Sequence, residues 1–406
     1  MGKHVGRKES IEYVKFGNSD MMVSQVCGGT MMWGSFNENE DMAWDQLDAL
    51  MRLGVNFLDT AEMYPVAWNY GKTTETWMGN WLSKRSEEGK VDRKKLYIAT
   101  KVNCSAVGTP PMPGRDKIGV HAYEEDIVMH ACKSSIARLK CEYIDLYQFH
   151  WPCRDTPVFG CAHFYPGGHN RPNPFVKEQG GLESFERQVL GVKKLFDAGL
   201  IRNWGLSNEN AYGITMFCMA CDKLGVPRPV SCQNDFSLLN RTYEGDTWEA
   251  AYRFGVVGLP YGVLAGGFLS GKYLPDSKYA DTDPDRPLSK CRHKLKPDFQ
   301  PRYAWPAAVL ASEKYVAIAE DWGLTPAELA LAWARDRQCN GSIIIGTASV
   351  KQVEDCVNAF KLEKLPEQLM NEVDDIFEEF RNPTRYYAIK ESAQLVGTGK
   401  KRKVGS

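Results

Sequence analysis

Two hydrophobic periods take turns along the chain. Short apolar runs read as buried strands, and longer segments with apolar positions three and four apart read as helices. The chain opens on a hairpin pattern. Tyr13 to Phe16 and Met21 to Ser24 flank Gly17-Asn18-Ser19-Asp20, a cluster with turn chemistry. Eight strand patterns follow, at 26–31, 56–60, 96–102, 143–150, 203–207, 230–234, 256–259 and 342–346. Helical patterns lie between and after them, at 41–53, 74–84, 125–140, 182–198, 211–224, 246–254, 326–337 and 350–360. In the first of these, Met42, Leu47, Leu50 and Met51 form the predicted buried stripe. Gly54, Gly199, Gly225 and Gly255 each follow a helical stretch, where a left-handed terminal residue favours glycine. Thr325-Pro326-Ala327-Glu328 supplies an N-cap, a first-turn proline and a first-turn acid.

Eight strand–helix units in series predict a parallel sheet with helices outside, and eight is the count that closes a (β/α)8 barrel. The alternative, a doubly wound open sheet, usually carries a GxGxxG turn after its first strand. Here Val26-Cys27-Gly28-Gly29-Thr30 runs into Met31-Met32-Trp33-Gly34 instead. The expected organisation is a short N-terminal segment (1–10), one barrel (11–390) whose hairpin plugs the bottom, and a basic tail (391–406). Two stretches, 151–181 and 270–301, exceed ordinary loop lengths. They read as long βα loops on the face where barrel active sites form.

A chain of 406 residues can bury a large core, and 43% apolar with 25% charged residues excludes global disorder. Fifty basic against 51 acidic residues argue against a nucleic-acid surface over the whole molecule. The longest charge-free run, Phe254 to Gly271, holds six glycines and a proline and is no membrane span. The N-terminus has no apolar signal region, so a cytoplasmic protein is expected. Lys400 to Lys403 resembles a short nuclear-import signal but reads more readily as a solvated basic tail. Twelve scattered cysteines fit free thiols in a reducing compartment. The pair Cys218 and Cys221 lacks a second pair for zinc, and His163 and His169 with Cys153 or Cys161 match no ligand spacing, so no metal is expected.

Three adjacent strand patterns end in groups with chemistry. The second ends at Asp59-Thr60, with Tyr64 five residues past the acid; the third ends at Thr100-Lys101; the fourth ends at Phe149-His150. A barrel would aim all four into one mouth. A lysine cation stabilises a tyrosine phenolate and lowers the pKa of the phenol. A carboxylate holds the buried ammonium. An imidazole beside the phenol orients a carbonyl. Such a set protonates an oxygen while a hydride arrives from elsewhere, which implies a nicotinamide cofactor.

Asp59-Thr60-Ala61-Glu62-Met63-Tyr64, Ala99-Thr100-Lys101-Val102 and Asp145 through Pro152 resemble the tetrad motifs of the aldo-keto reductase family. The likeness continues in Gly205 to Asn208, Gln233-Asn234, Leu269 to Tyr273 and Ile345 to Ser349, and covers roughly residues 12–380. The long loops and residues 233–241 are most similar to the branch that holds the bacterial Tas proteins and the potassium-channel β subunits. The channel subunits depart at the His position, which this chain keeps as His150.

The resemblance implies reduction of aldehydes or ketones to alcohols, with Tyr64 as general acid, Lys101 and Asp59 tuning it, and His150 orienting the carbonyl. It implies cofactor contacts at Thr30, Asp59, Ser207, Asn208, Gln233, Tyr261, Gly262, Leu264, Gly266, Lys272, Gly346, Ser349, Gln352 and Asp355. Arg302 is a further candidate for phosphate. Asp355 and Cys356 stand where Glu and Asn are typical. Thr347, Ser349 and Lys351 are available to a 2′-phosphate, so NADPH is expected rather than NADH. Trp33, Tyr64, His150 and Trp151, with Trp68, Phe159 or Phe164, are the expected substrate wall. The partner is a small carbonyl compound. The alternative is a regulatory subunit that senses the cofactor's redox state for a partner protein.

Overall fold

Strands β1 (Tyr13–Lys15) and β2 (Met22–Ser24) pair antiparallel across the expected turn. Eight parallel strands then form one sheet: β3 (Val26–Gly29), β4 (Phe57–Asp59), β5 (Tyr97–Val102), β6 (Ile144–Phe149), β7 (Ile201–Ser207), β8 (Ser231–Gln233), β9 (Val257–Gly258) and β10 (Ile343–Gly346), with β10 beside β3. Its two edges meet around β9. The Gly258 N–H donates to the Cys339 carbonyl at 2.8 Å, Gly341 N–H to the Gly258 carbonyl at 2.9 Å, and Ile344 N–H to the Pro260 carbonyl at 3.0 Å. The result is the (β/α)8 barrel with an N-terminal hairpin. This computed structural model describes residues 3–37, 39–66, 71, 73–103, 123, 125–154, 156–157, 160–164 and 181–385. Trp68, Phe159, His169 and the tail with Lys400 to Lys403 lie outside them.

The helices are α1 (Glu40–Arg52), α2 (Thr73–Glu87), α3 (Glu125–Leu139), α4 (Leu182–Asp197), α5 (Ala211–Leu224), α6 (Asp246–Phe254), α7 (Arg292–Leu295), α8 (Pro306–Asp321), α9 (Pro326–Arg335), α10 (Val350–Ala359) and α11 (Glu367–Phe380). Three of them, α7, α8 and α11, have no counterpart among the predicted segments. Helix α7 spans only four residues, too few to carry a period, and α8 has weak amphipathic contrast because it buries mostly small residues (Ala308, Ala311, Ser312 and Ala319 with Tyr315). Helix α11 is amphipathic, with Leu369, Val373 and Ile376 on its buried stripe, and sequence reasoning missed it. In α1 the buried stripe is Ala43, Gln46, Leu47, Ala49 and Leu50, whereas Met42 and Met51 are partly exposed. Small alanines, not the methionines, flank Leu47 and Leu50 there. Glycine ends α5 and α6 in the left-handed region, with Gly225 at φ 65 and Gly255 at φ 74.

The hairpin closes the bottom of the barrel. Phe16, Met21 and Val23 pack on Cys27, Phe57, Ala99, Leu146, Val230 and Leu259, all fully or nearly fully buried. The Phe16 and Phe57 rings meet edge to face at 5.3 Å. Asn56, just before β4, anchors the hairpin. Its Oδ1 accepts from Ser24 N–H at 2.7 Å and its Nδ2 donates to the Met22 carbonyl at 2.9 Å. The bottom is thereby filled with side chains, and polar chemistry is confined to the opposite mouth. Residues before the hairpin lie against the C-terminal part of the barrel, where Lys8 N–H donates to the Lys361 carbonyl at 2.6 Å. Among the described residues, no helix is long and apolar enough to cross a membrane.

Candidate active site

Parallel register places the polar groups at the mouth. Asp59 ends β4 opposite Ala99 of β5, and Lys101 stands two residues further on the same inward face. Gln148 of β6 lies opposite Lys101. The Lys101 ammonium donates to Asp59 Oδ1 at 2.5 Å, to the Thr60 carbonyl at 2.7 Å and to the Tyr64 hydroxyl at 3.4 Å. Asp59 Oδ2 accepts from Gln148 Nε2 at 3.1 Å and from Gln233 Nε2 at 2.9 Å. This buried carboxylate therefore has three side-chain donors, the condition under which burying an ion pair is tolerable. His150, just past β6, sets its ring edge-on to Tyr64 at 5.7 Å and stacks on Trp151 at 5.4 Å. The chain thus brings Asp59, Tyr64, Lys101 and His150 to one point.

Gly205 makes room for this network. A Cβ there would come within 2.8 Å of Ser231 Oγ and 3.1 Å of the Ser231 carbonyl, and would press on Gln148. Gln148 is a positioning group that sequence reasoning missed. Its signal was its place on the inward face two residues before His150.

Burial governs the acidities. Lys101 is fully buried, yet Asp59 and Tyr64 hold its ammonium above the ordinary value against desolvation. Burial raises the Tyr64 phenol above its ordinary value, and the Lys101 cation offsets only part of that rise. The sequence-based expectation of a lowered Tyr64 value is therefore reversed, because desolvation outweighs one cation. His150 is held well below its ordinary value, first by burial and then by the Lys101 charge. At neutral pH the site presents a protonated phenol, an ammonium and a neutral imidazole.

Asp59, Tyr64 and His150 open into a cavity of about 1270 Å³ that runs from Trp151 to the start of α10, with Lys101 buried behind them. Thr30, Ser207, Asn208, Gln233, Tyr261, Gly262, Leu264, Gly266, Lys272, Gly346, Gln352 and Asp355 all line it. The Asn208 side chain donates to the His150 carbonyl at 2.8 Å and accepts from the Tyr261 hydroxyl at 2.7 Å. Ser207 Oγ donates to the Gln233 carbonyl at 2.9 Å. Ser349 does not line the cavity; its Oγ donates to Asp283 at 2.5 Å. Arg302 lines it, but its charge is directed at Asp235, with Nε at 3.2 Å and a terminal nitrogen at 3.0 Å. Trp33 is absent from the wall. It is 1% exposed in the core beside Gln46, because the turn after β3 carries its ring inward. Phe164 points to solvent at 59% exposure. Met31, Met63, Val66 and Trp151 supply apolar wall.

Residues 271–302 cross the cavity as a strap. Its Arg286 donates to the Phe36 carbonyl at 2.5 Å, and its Arg292 reaches Met32 Sδ at 2.7 Å and Gln300 Oε1 at 3.0 Å. Arg292 and Lys272 are half-buried on the cavity wall, and among the described residues neither has a carboxylate partner. Burial holds the Lys272 ammonium below its ordinary value. Arg292 was not singled out from the sequence, since nothing in a loop pattern marks which arginine turns inward.

A dinucleotide fits these features. Two half-buried cations lack a carboxylate partner among the described residues, and Thr30 Oγ1 and His150 Nδ1 are buried without a hydrogen-bond partner. Gly262 (φ 72), Gly266 (φ 65) and Gly267 (φ 106) give the wall between Tyr261 and Lys272 a backbone surface that side chains would obstruct. Among the described residues, no group of three or more His, Cys, Asp or Glu is placed to hold a metal.

The sequence profile of the aldo/keto reductase family matches residues 25–378. The chain belongs to the aldo/keto reductase family. Protein tas of Escherichia coli is 33% identical over 378 residues, covering 92% of this chain and 99% of its own length. An uncharacterized oxidoreductase of Bacillus subtilis, YrpG, is 27% identical over 90% of this chain and 96% of its own length. An aldo-keto reductase of Babesia bovis is 30% identical over 72% of this chain and 99% of its own length.

Proposed function

We propose that the chain is an NAD(P)H-dependent oxidoreductase that reduces aldehyde or ketone carbonyls to alcohols. The observation that carries this reading is the Tyr64 hydroxyl, 3.4 Å from the Lys101 ammonium and beside a neutral His150 at the cavity mouth. A reduced nicotinamide, when bound, supplies hydride to the carbonyl carbon. His150 offers an imidazole N–H to the carbonyl oxygen and fixes its direction. Tyr64 gives its proton to that oxygen, and Lys101 stabilises the phenolate left behind. Asp59, held by Gln148 and Gln233, keeps the ammonium aimed at the phenol. General acid assistance of this kind is worth about 10²–10⁴-fold in rate.

Ser207, Asn208, Gln233 and the Tyr261 ring form the wall for the nicotinamide end. Lys272 and Arg292 are the counter-charges for a pyrophosphate. Gly346, Gln352 and Asp355 flank the adenosine end. NADPH, expected from the sequence, and NADH share the pyrophosphate and differ at the ribose 2′ position. Trp151 and the methionines favour an apolar carbonyl compound. The convergence of proton donor, tuning cation and imidazole supports catalysis over a purely cofactor-sensing subunit, which would need none of them.

Fluorescence titration of the purified chain with NADPH and NADH, followed by an aldehyde panel watched at the coenzyme's absorbance, tests the reading. Binding with aldehyde-dependent loss of absorbance is expected. No binding of either dinucleotide would remove it.

A further inference from the structure

The adenosine end of the cavity already holds an acid. Asp283, on the strap, is 8% exposed, and its Oδ2 accepts from Ser349 Oγ at 2.5 Å and from Gln352 Nε2 at 3.0 Å. Its Oδ1 accepts from the Asp285 N–H at 3.1 Å. Ser349 Oγ in turn accepts from the Gln352 N–H at 3.2 Å, as the N-cap of α10. Nearby polar groups are engaged as well. Thr347 Oγ1 donates to Gln46 Oε1 at 2.9 Å, and Lys351 Nζ is paired with Asp355 at 2.7 Å. The hydroxyls, amide and cation that a 2′-phosphate would use are thus all occupied, three of them by carboxylates and two of those by Asp283.

We propose that Asp283 is a coenzyme-specificity residue: its carboxylate holds the Ser349–Gln352 cradle, excludes a ribose 2′-phosphate and accepts from a ribose 2′-hydroxyl, so it favours NADH relative to NADPH. This rests on the NAD(P)H reading above. A phosphate monoester carries about 1.5–2 negative charges at neutral pH. Placed against a carboxylate in a largely buried site, it is repelled with little screening. A hydroxyl in the same place is a donor, and an acid on the ribose is a familiar solution for a dinucleotide without the extra phosphate. NADPH can use Ser349 and Gln352 only if Asp283 releases both donors and that part of the strap lifts. NADH requires no such release.

The test uses the full chain and its Asp283→Asn variant, which removes the charge and keeps the shape. Dissociation constants for NADH and NADPH are read from quenching of tryptophan fluorescence, with no turnover involved. The NADPH-to-NADH affinity ratio is expected to rise by about tenfold or more in Asp283→Asn, chiefly through tighter NADPH. On the unaltered protein, 5′-AMP is expected to displace bound NADH at lower concentration than 2′,5′-ADP. A ratio that stays within about threefold of the unaltered protein, or falls, overturns the proposal, as does stronger displacement by 2′,5′-ADP. If neither dinucleotide binds the unaltered chain, the NAD(P)H reading fails and this inference falls with it. Binding of both with an unmoved ratio overturns Asp283 alone.

Discussion

At the ends of β4, β5 and β6, Asp59, Lys101 and His150 leave backbone that is hydrogen-bonded to neighbouring strands, with Tyr64 on the loop just past β4. At the adenosine end, the ties run between loops far apart in sequence, from Asp283 to Ser349 and from Arg286 to the Phe36 carbonyl. The first region is fixed by strand register, so Asp59 and Lys101 meet wherever the barrel forms. The second is fixed by a few side-chain clasps on a strap that can release without breaking the sheet. On the proposed reading, chemistry sits on the side fixed by strand register and coenzyme selection on the strap, an arrangement in which one can change without the other.

The strongest test of that separation is Tyr64→Phe. Turnover should fall by about 10²–10⁴-fold while dinucleotide affinity, read by titration, stays close to its original value. A matching loss of affinity would show that the two ends are not independent. Next comes Lys101→Met, which leaves the buried Asp59 without its cation. Urea unfolding should show a loss of roughly 3–5 kcal/mol, far more than any strap substitution produces. Arg286→Ala removes a charged hydrogen bond of the strap, worth about 1.5–3 kcal/mol. Stopped-flow measurement should show faster coenzyme release, with global stability less affected than by Lys101→Met.

The smallest effect is a pH dependence. His150 is held well below its ordinary value, and burial with nearby cations pushes His293 on the strap down to about 3. The unfolded chain takes up these protons near pH 6.5, and the folded chain does not. Their contribution is therefore fully present above that value and lost progressively as pH falls below it. Melting temperature should decline between neutral and mildly acid pH. His293→Asn should flatten the slope without touching Tyr64.

Much of the rigid side was legible in the sequence. A period of two fixes which strand residues face inward, and strand ends mark where polar groups can stand, so Asp59, Lys101 and His150 follow from pattern alone. Tyr64 follows from its short distance along the chain. Its raised pKa did not follow, because desolvation depends on everything packed around the phenol. Asp283 and Arg292 were invisible for a different reason. Their partners lie about 66 and 260 residues away, and loops carry no periodicity from which to infer such pairings. Trp33 misled because an aromatic after a strand fits core and pocket equally well in sequence; only its 1% exposure and its absence from the cavity wall decide.

Lys272 and Arg292 have one more consequence. Both are half-buried on the cavity wall, and among the described residues no acid pairs with them. On the proposed reading, the missing counter-ion is the coenzyme itself, which then acts as a component of the fold. Mass action adds about 2.7 kcal/mol to folding when free ligand is a hundred times its dissociation constant. Resistance of the barrel to proteolysis would then follow the supply of nicotinamide dinucleotide, making the protein's lifetime a readout of metabolic state.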